Sequence, residues 1–273
     1  MKQDLANIFQ RIYVMFQMFL MEKQLRDNLQ LARQQFLIKY FATKDAKPAM
    51  ELPPPETFPR IGDRLEEYDG KIAAYAKSNP GKPAVVMIGD SLAEFLQGTP
   101  SPIDINAGLA GGASPTFLYV IERLVQMCAK HGVVIEALVA GCFFGNALLY
   151  HQDYDAARRD ATHCLYRMRQ LLPKTFFVLC GMPPVYDIYA AAFQFEARDF
   201  FLSWIQSDKH DAYGYGGSSY LDICTAMGGF LGIMPKAAMS LESIHMNPAG
   251  KAKFVRMIEA GLKSLPGTHI ITA

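Results

Sequence analysis

The stretch that decides the fold is a short apolar run followed by a small polar turn, Ala84-Val85-Val86-Met87-Ile88-Gly89-Asp90-Ser91-Leu92. An apolar run that contains two Val and one Ile is typical of a buried strand in a parallel sheet. Gly89 ends this strand, and Asp90 and Ser91 lie in the turn before a short helical run. The serine hydroxyl is therefore expected at the carboxyl end of a strand, the edge at which open α/β sheets bind ligands.

Strands and helices alternate through the chain after this first strand. The pattern predicts further strands at 103–106, 133–140, 175–180 and 220–223, and helices at 63–77, 114–130, 154–172, 193–206 and 248–262. Strands joined by helices favour a parallel sheet covered on both faces, because a strand-helix-strand crossover is right-handed. The expected fold class is α/β, a three-layer sandwich with a five-stranded parallel sheet and an N-terminal helical extension.

The first 80 residues have a different organisation. Residues 5–41 contain no Pro or Gly and follow one long helical pattern, which is apolar nearly all round in its first half. Prolines between Pro48 and Pro59 make residues 45–60 an extended linker. The chain is thus predicted to comprise an N-terminal helical arm at 1–44, a Pro-rich linker and leading helix at 45–80, and an α/β domain at 81–266.

The apolar half of the N-terminal arm is expected to be buried in a contact, because an apolar patch of this kind rarely stays exposed on a monomer. The linker allows the arm to reach away from its own domain, which favours a second copy of the chain or another protein partner over packing on its own domain. Membrane contact is less favoured, because few Lys or Arg residues flank the apolar run from Ile12 to Met21.

Composition excludes several classes of function. The 273 residues are 51% hydrophobic and carry a formal net charge of +1, without basic runs, so no nucleic-acid partner is expected. The 5 cysteines are scattered singly and lack metal-ligand spacing, which predicts no metal site and a reducing compartment. The N-terminus lacks a signal-peptide layout, and the apolar run there is too short to span a bilayer. We therefore expect a cytoplasmic protein.

Two blocks resemble those of the SGNH/GDSL hydrolases, which are serine esterases and acyltransferases with a flavodoxin-like fold. The strand followed by Gly89-Asp90-Ser91-Leu92 resembles the opening block. The segment from Glu242 to Gly250 resembles the closing block, in which Asp-x-x-His precedes the last helix, and His245 alone among the 6 histidines has such a context. The resemblance spans about residues 82–264. It implies that Ser91 is the nucleophile and His245 the general base.

The resemblance implies that Glu242 orients the imidazole, although the family usually has Asp at this position. Glutamate serves this role in some other Ser-His-acid hydrolases. Its extra methylene changes the reach of the carboxylate, so a backbone carbonyl remains an alternative for the orienting role. Asp222, near the end of the fifth predicted strand, is a less favoured substitute.

Two further blocks resemble the family's oxyanion-hole segments in part. Asn106-Ala107-Gly108-Leu109-Ala110-Gly111 resembles its Asn-x-Gly-x-x-Gly segment, which implies an N–H donor at Gly111. The family's Gly-x-Asn-Asp block has only Asn146 as its counterpart, followed by Ala147 instead of Asp. The implied oxyanion hole consists of the Ser91 and Gly111 N–H groups and the Asn146 amide. A glycine-rich turn and a plain loop asparagine are the structural alternatives.

The blocks together imply a serine hydrolase that cleaves or transfers the acyl group of a carboxylic ester, with no cofactor. An α/β-hydrolase elbow is disfavoured because the serine follows the first strand of the sheet. The alternative from another class is a catalytically silent SGNH-like binding domain, tethered to a partner by the N-terminal helix. The expected substrate is a small-molecule, carbohydrate or lipid ester, and the aromatic-rich stretches at 193–204 and 213–217 are candidate pocket walls.

Overall fold

A computed structural model of the chain describes residues 54–141, 154–181, 200–201, 217–223, 226, 245–263 and 270–271. Its strands are β1 (Ala84–Gly89), β2 (Ile105–Gly108), β3 (Ile135–Gly141), β4 (Phe176–Cys180), β5 (Ser218–Leu221) and β6 (Ile270–Ile271). Its main helices are α1 (Ile61–Ser78), α2 (Ser91–Glu94), α3 (Ser114–His131), α4 (Tyr154–Leu171) and α5 (Pro248–Lys263). A short 3₁₀ turn, Pro55–Thr57, precedes α1.

All neighbouring strands are parallel, in the order β2-β1-β3-β4-β5-β6. The first five strands follow the flavodoxin-like order, so the predicted α/β fold with a five-stranded parallel sheet is confirmed. The two-residue strand β6 extends the sheet beyond β5. The sequence pattern did not predict it.

Helices cover both faces of the sheet, and β1 shows why its sequence is a continuous apolar run. Val86 and Ile88 belong to a core cluster with residues of α1, α3 and α4. Met87, which points to the other face, belongs to a second cluster with residues of α5. All three side chains are fully buried. A strand covered on both faces has a continuous apolar run instead of alternating polar and apolar residues, which makes it recognisable in the sequence.

Several element boundaries differ from the predicted ones. Strand β2 begins two residues later than predicted. Just before it, Asp104 donates its N–H to the Val85 carbonyl oxygen and accepts the Val85 N–H through its carboxylate. Strand β5 begins two residues earlier than predicted, at Ser218, and both of its serines are buried. Helix α3 begins at Ser114, the first residue of its predicted range, and Ala113 occupies the cap position.

The start of β5 is held by a buried arginine on α4. The Arg169 guanidinium lies 3.7 Å from the Phe177 ring centroid and is 4% exposed. Its hydrogen bonds go to the carbonyl oxygens of Leu172, Pro173, Thr175 and Gly217 and to Ser218 Oγ. This side chain therefore joins the turn between α4 and β4 to the beginning of β5.

The leading helix α1 is fastened to the edge strand β2. The Tyr68 hydroxyl is buried and donates to the Gly108 carbonyl oxygen at 2.7 Å, and burial raises the pKa of this phenol, which keeps it protonated. Lys71 Nζ donates to the Asn106 carbonyl oxygen at 3.3 Å. Residues 1–53, including the predicted N-terminal arm, lie outside the described residues. Among the helices that the structure describes, none is long and apolar enough to cross a membrane.

Candidate active site

Ser91 lies at the turn between β1 and α2, at the carboxyl edge of the sheet. Asp90 caps α2, with backbone angles in the extended region and a carboxylate that accepts the Leu92 N–H at 2.9 Å. Strand β1 lies between β2 and β3, so the connection from β1 to β2 and the later connection from β2 to β3 run in opposite directions along the sheet. The crevice at such a switch point is where open α/β sheets bind ligands. The structure therefore places Ser91 at the edge that the sequence predicted.

His245 reaches Ser91 from the segment that leads into α5. Its Nε2 lies 3.1 Å from Ser91 Oγ, although 154 positions separate the two residues. Asn247, two residues later, accepts the Gly250 N–H at 2.9 Å through Oδ1, which caps the helix and fixes the segment that carries the histidine. Because Nε2 faces the serine, Nδ1 is the ring nitrogen that an orienting group would hold.

Phe95 lies beside this pair. Its ring and the His245 imidazole meet edge to face, with centroids 4.6 Å apart and planes inclined by 70°. Edge-to-face contact is a favoured arrangement of aromatic rings. The Phe95 side chain is also 40% exposed, so it presents an apolar surface next to the serine and histidine. Sequence reasoning did not single out this residue, which lies four positions after Ser91.

The loop after β2 carries Gly111 and packs against the serine turn. Gly111 has a φ of 81°, in the left-handed region that favours glycine. Leu109 donates its N–H to the Gly89 carbonyl oxygen at 2.8 Å. Ala110 donates its N–H to Glu94 Oε2 at 2.6 Å. The loop that carries the predicted oxyanion donor is thus bonded to residues on both sides of Ser91.

Strand β2 also approaches the serine-bearing helix very closely. A Cβ atom on Gly108 would overlap the backbone of Ala93 and Glu94, so only glycine fits there. Asn106 donates from Nδ2 to the Ala93 carbonyl oxygen at 2.8 Å and accepts the Gly108 N–H at 2.9 Å. The first residues of the Asn-x-Gly-x-x-Gly block therefore hold α2 against β2. The resemblance alone did not assign them this role.

Burial dominates the electrostatics of the serine turn. The Asp90 side chain is 3% exposed, and burial raises its pKa to about 7, although the hydrogen bond from the Leu92 N–H opposes the rise. The Asp222 side chain is fully buried after the end of β5. No group of three or more His, Cys, Asp or Glu side chains in the described part of the chain is arranged to hold a metal ion.

The described architecture is similar to that of a GDSL-like lipase from Bacteroides thetaiotaomicron VPI-5482. The similarity has a TM-score of 0.55 at 15% identity, and it covers 74% of this chain and 98% of the lipase. The chain shares the fold of this lipase. A family 3 carbohydrate esterase from Clostridium thermocellum aligns with a TM-score of 0.48 at 14% identity, over 68% of this chain and 100% of the esterase. No family model and no curated protein matches the sequence.

Within this fold, the structure brings together part of the site that the sequence predicted. Ser91 and His245 are in contact, and Gly111 lies on the loop bonded to the serine turn. Asn146 and Glu242, the predicted amide donor and acid, lie outside the described residues. Glu94 is the residue of the serine turn that sequence reasoning missed. Its spacing from Ser91 was visible in the sequence, but its backbone partner at Ala110 was not.

Proposed function

We propose that this chain is a serine hydrolase that cleaves, or transfers, the acyl group of a carboxylic ester. The observation that carries the proposal is the 3.1 Å contact between Ser91 Oγ and His245 Nε2 at the carboxyl edge of the sheet. A serine hydroxyl is a weak nucleophile until an adjacent base accepts its proton, and this distance allows that transfer. The shared fold with a GDSL-like lipase supports the same class of reaction.

The reaction would proceed in two displacements. Ser91 Oγ attacks the ester carbonyl carbon while His245 Nε2 takes the hydroxyl proton, and a tetrahedral oxyanion forms. The N–H groups of Ser91 and Gly111 and the Asn146 amide are proposed to donate to that oxyanion. His245 then gives the proton to the departing alcohol, which leaves an acyl-serine ester. Attack by water releases the acid, whereas attack by an acceptor alcohol completes acyl transfer.

The orienting acid is proposed to be Glu242, which would accept the Nδ1–H of His245 and stabilise the imidazolium. A variant that loses this group keeps the nucleophile and base, so Glu242→Ala should lose less activity than His245→Ala. Asn146→Ala should lower kcat by about 10²-fold if its amide is an oxyanion donor. An unchanged kcat in the Asn146 variant would assign that role to another group.

The substrate is proposed to be a small-molecule, carbohydrate or lipid ester with an apolar group near the reacting carbonyl. The exposed Phe95 ring beside His245 supports this choice, because it offers apolar contact at the site. Hydrolysis of p-nitrophenyl esters of increasing acyl length, from acetate to palmitate, would identify the preferred chain. Adding an acceptor alcohol to the best substrate would distinguish transfer from hydrolysis.

The triad assignment is tested with Ser91→Ala and His245→Ala on the best p-nitrophenyl ester. Each should lower kcat by about 10³-fold or more, because nucleophile and base act as a unit. Circular dichroism should show an unchanged fold, since both side chains are only half-buried. Wild-type kcat in either folded variant would refute the assignment. No ester hydrolysis by the wild-type protein would favour the silent binding domain.

A further inference from the structure

Glu94 is a nearly buried carboxylate three residues after Ser91, at the end of α2. Its side chain is 10% exposed and pairs with the guanidinium of Arg64 on α1, which is 9% exposed. The exposed Arg60 lies farther away, with Nη2 3.7 Å from Glu94 Oε1. A buried carboxylate is costly unless it is paired and hydrogen-bonded. The structure satisfies that condition for Glu94 on both of its oxygens.

The second oxygen of Glu94 accepts a backbone N–H from the loop after β2. Ala110 N lies 2.6 Å from Glu94 Oε2, which is a charge-assisted hydrogen bond and about twice as strong as a neutral one. Ala110 directly precedes Gly111, the proposed oxyanion donor. A single side chain therefore links the helix that carries the nucleophile to the loop that carries the donor.

Arg64 holds the Glu94 carboxylate in the orientation that reaches Ala110. The guanidinium also binds Glu67 on its own helix, with Nη1 2.5 Å from Oε2. Helix α1 is fixed in turn by the Tyr68 hydroxyl on Gly108. The leading helix thus supports the serine turn through Glu94 and strand β2 through Tyr68.

We propose that Glu94 is a positioning residue that fixes the loop of Ala110 and Gly111 relative to Ser91, so that the Gly111 N–H is aimed at the oxyanion. This inference rests on the proposed serine hydrolase function. An oxyanion donor acts over about 2.7–3.1 Å, and a displacement of about 1 Å costs up to about 10²-fold in rate. The oxyanion exists only after attack, so the loss should fall on kcat more than on KM.

The test compares Glu94→Ala with Glu94→Gln on the best p-nitrophenyl ester. Glu94→Ala removes the acceptor for the Ala110 N–H and should lower kcat by about 10-fold to 100-fold. Glu94→Gln keeps a side-chain oxygen that can accept the same N–H, and Arg64 keeps its ion pair with Glu67. It should therefore keep kcat within about fivefold of wild type. Rescue by the glutamine separates the hydrogen bond from the ion pair.

Tyr75→Phe is the matched control for a general loss of stability. It removes a hydrogen bond from α1 to the Pro83 carbonyl oxygen at 2.7 Å, without touching Arg64, Glu67, Glu94 or the loop. Its kcat should equal that of wild type even where its melting temperature falls as far as that of Glu94→Ala. An equal loss of kcat in Tyr75→Phe would show that the effect reflects stability, which overturns the positioning role.

Amide hydrogen exchange gives a readout that does not depend on catalysis. The peptide that contains Ala110 and Gly111 should exchange faster in Glu94→Ala than in Glu94→Gln or wild type. If Glu94→Ala left either the exchange rate or kcat at the wild-type value, the positioning role would be overturned. The hydrolase proposal would stand in that case, because the enzyme is active. Equal losses in the alanine and glutamine variants would overturn the hydrogen-bond mechanism. A wild-type protein that hydrolyses no ester would refute the hydrolase proposal itself, whatever the exchange rates.

Discussion

Asp90→Asn should stabilise the fold at neutral pH and above, and should change stability little in acid. Asparagine keeps the side-chain oxygen that accepts the Leu92 N–H, and it is as good an N-cap as aspartate. The substitution therefore removes the titrating group and keeps the cap. Its effect on stability isolates the cost of burying the Asp90 charge.

The direction follows from the raised pKa of Asp90. Burial shifts this pKa from its ordinary 3.8 to about 7, so the folded state binds the proton more tightly than the unfolded chain does. The stabilisation from that proton is complete below the unfolded pKa and is lost as the pH rises through the folded pKa. The pKa difference corresponds to at most about 4 kcal/mol, at about 1.4 kcal/mol per pKa unit.

Urea unfolding followed by far-ultraviolet circular dichroism measures this effect between about pH 4 and about pH 8. The free energy of unfolding of Asp90→Asn should exceed that of wild type by an amount that grows with pH across this window. Asp104→Asn is the matched control, because Asp104 is exposed and also accepts a backbone N–H, from Val85 at 2.8 Å. A difference for Asp90→Asn that does not vary with pH would refute the burial argument.

Three other predictions concern stability and assembly. Tyr68→Phe removes the buried hydrogen bond to Gly108 and should lower the free energy of unfolding by about 1–2 kcal/mol in urea; no change would show that this bond is not stabilising. Arg169→Met leaves several buried carbonyl oxygens without their donor and should cost about 3 kcal/mol or more by the same assay; a loss under about 1 kcal/mol would contradict that role. Removing residues 1–55, which contain the predicted N-terminal arm, should convert a self-associated protein into a monomer by size exclusion with light scattering; a monomeric full-length chain would contradict self-association.

Strands and helices that are marked by their own local pattern of apolar residues were predictable from the sequence. Strand β1 is buried on both faces, so its apolar run marks it without any knowledge of its neighbours. The helices α3, α4 and α5 lie within two residues of their predicted ends. Ser91 and His245 were predictable as a pair because each belongs to a recognisable block, and the structure brings them into contact.

Contacts that depend on backbone groups were not predictable. The partner of Glu94 is the N–H of Ala110, and any residue other than proline would offer that group. Likewise, the early start of β5 depends on Arg169, which lies 49 positions before Ser218 and carries no motif. The supporting residues around the site therefore emerge only from the three-dimensional arrangement.

Covalent labelling by a fluorophosphonate tests the activated serine most directly. The probe phosphonylates a serine only where a base accepts its proton, which the Ser91–His245 contact provides. Intact-mass spectrometry should show one adduct on the wild-type chain, mapped to Ser91 by peptide sequencing. Ser91→Ala should carry no adduct, and His245→Ala should label far more slowly. An unlabelled wild-type chain, or equal labelling of wild type and Ser91→Ala, would contradict the proposed serine hydrolase.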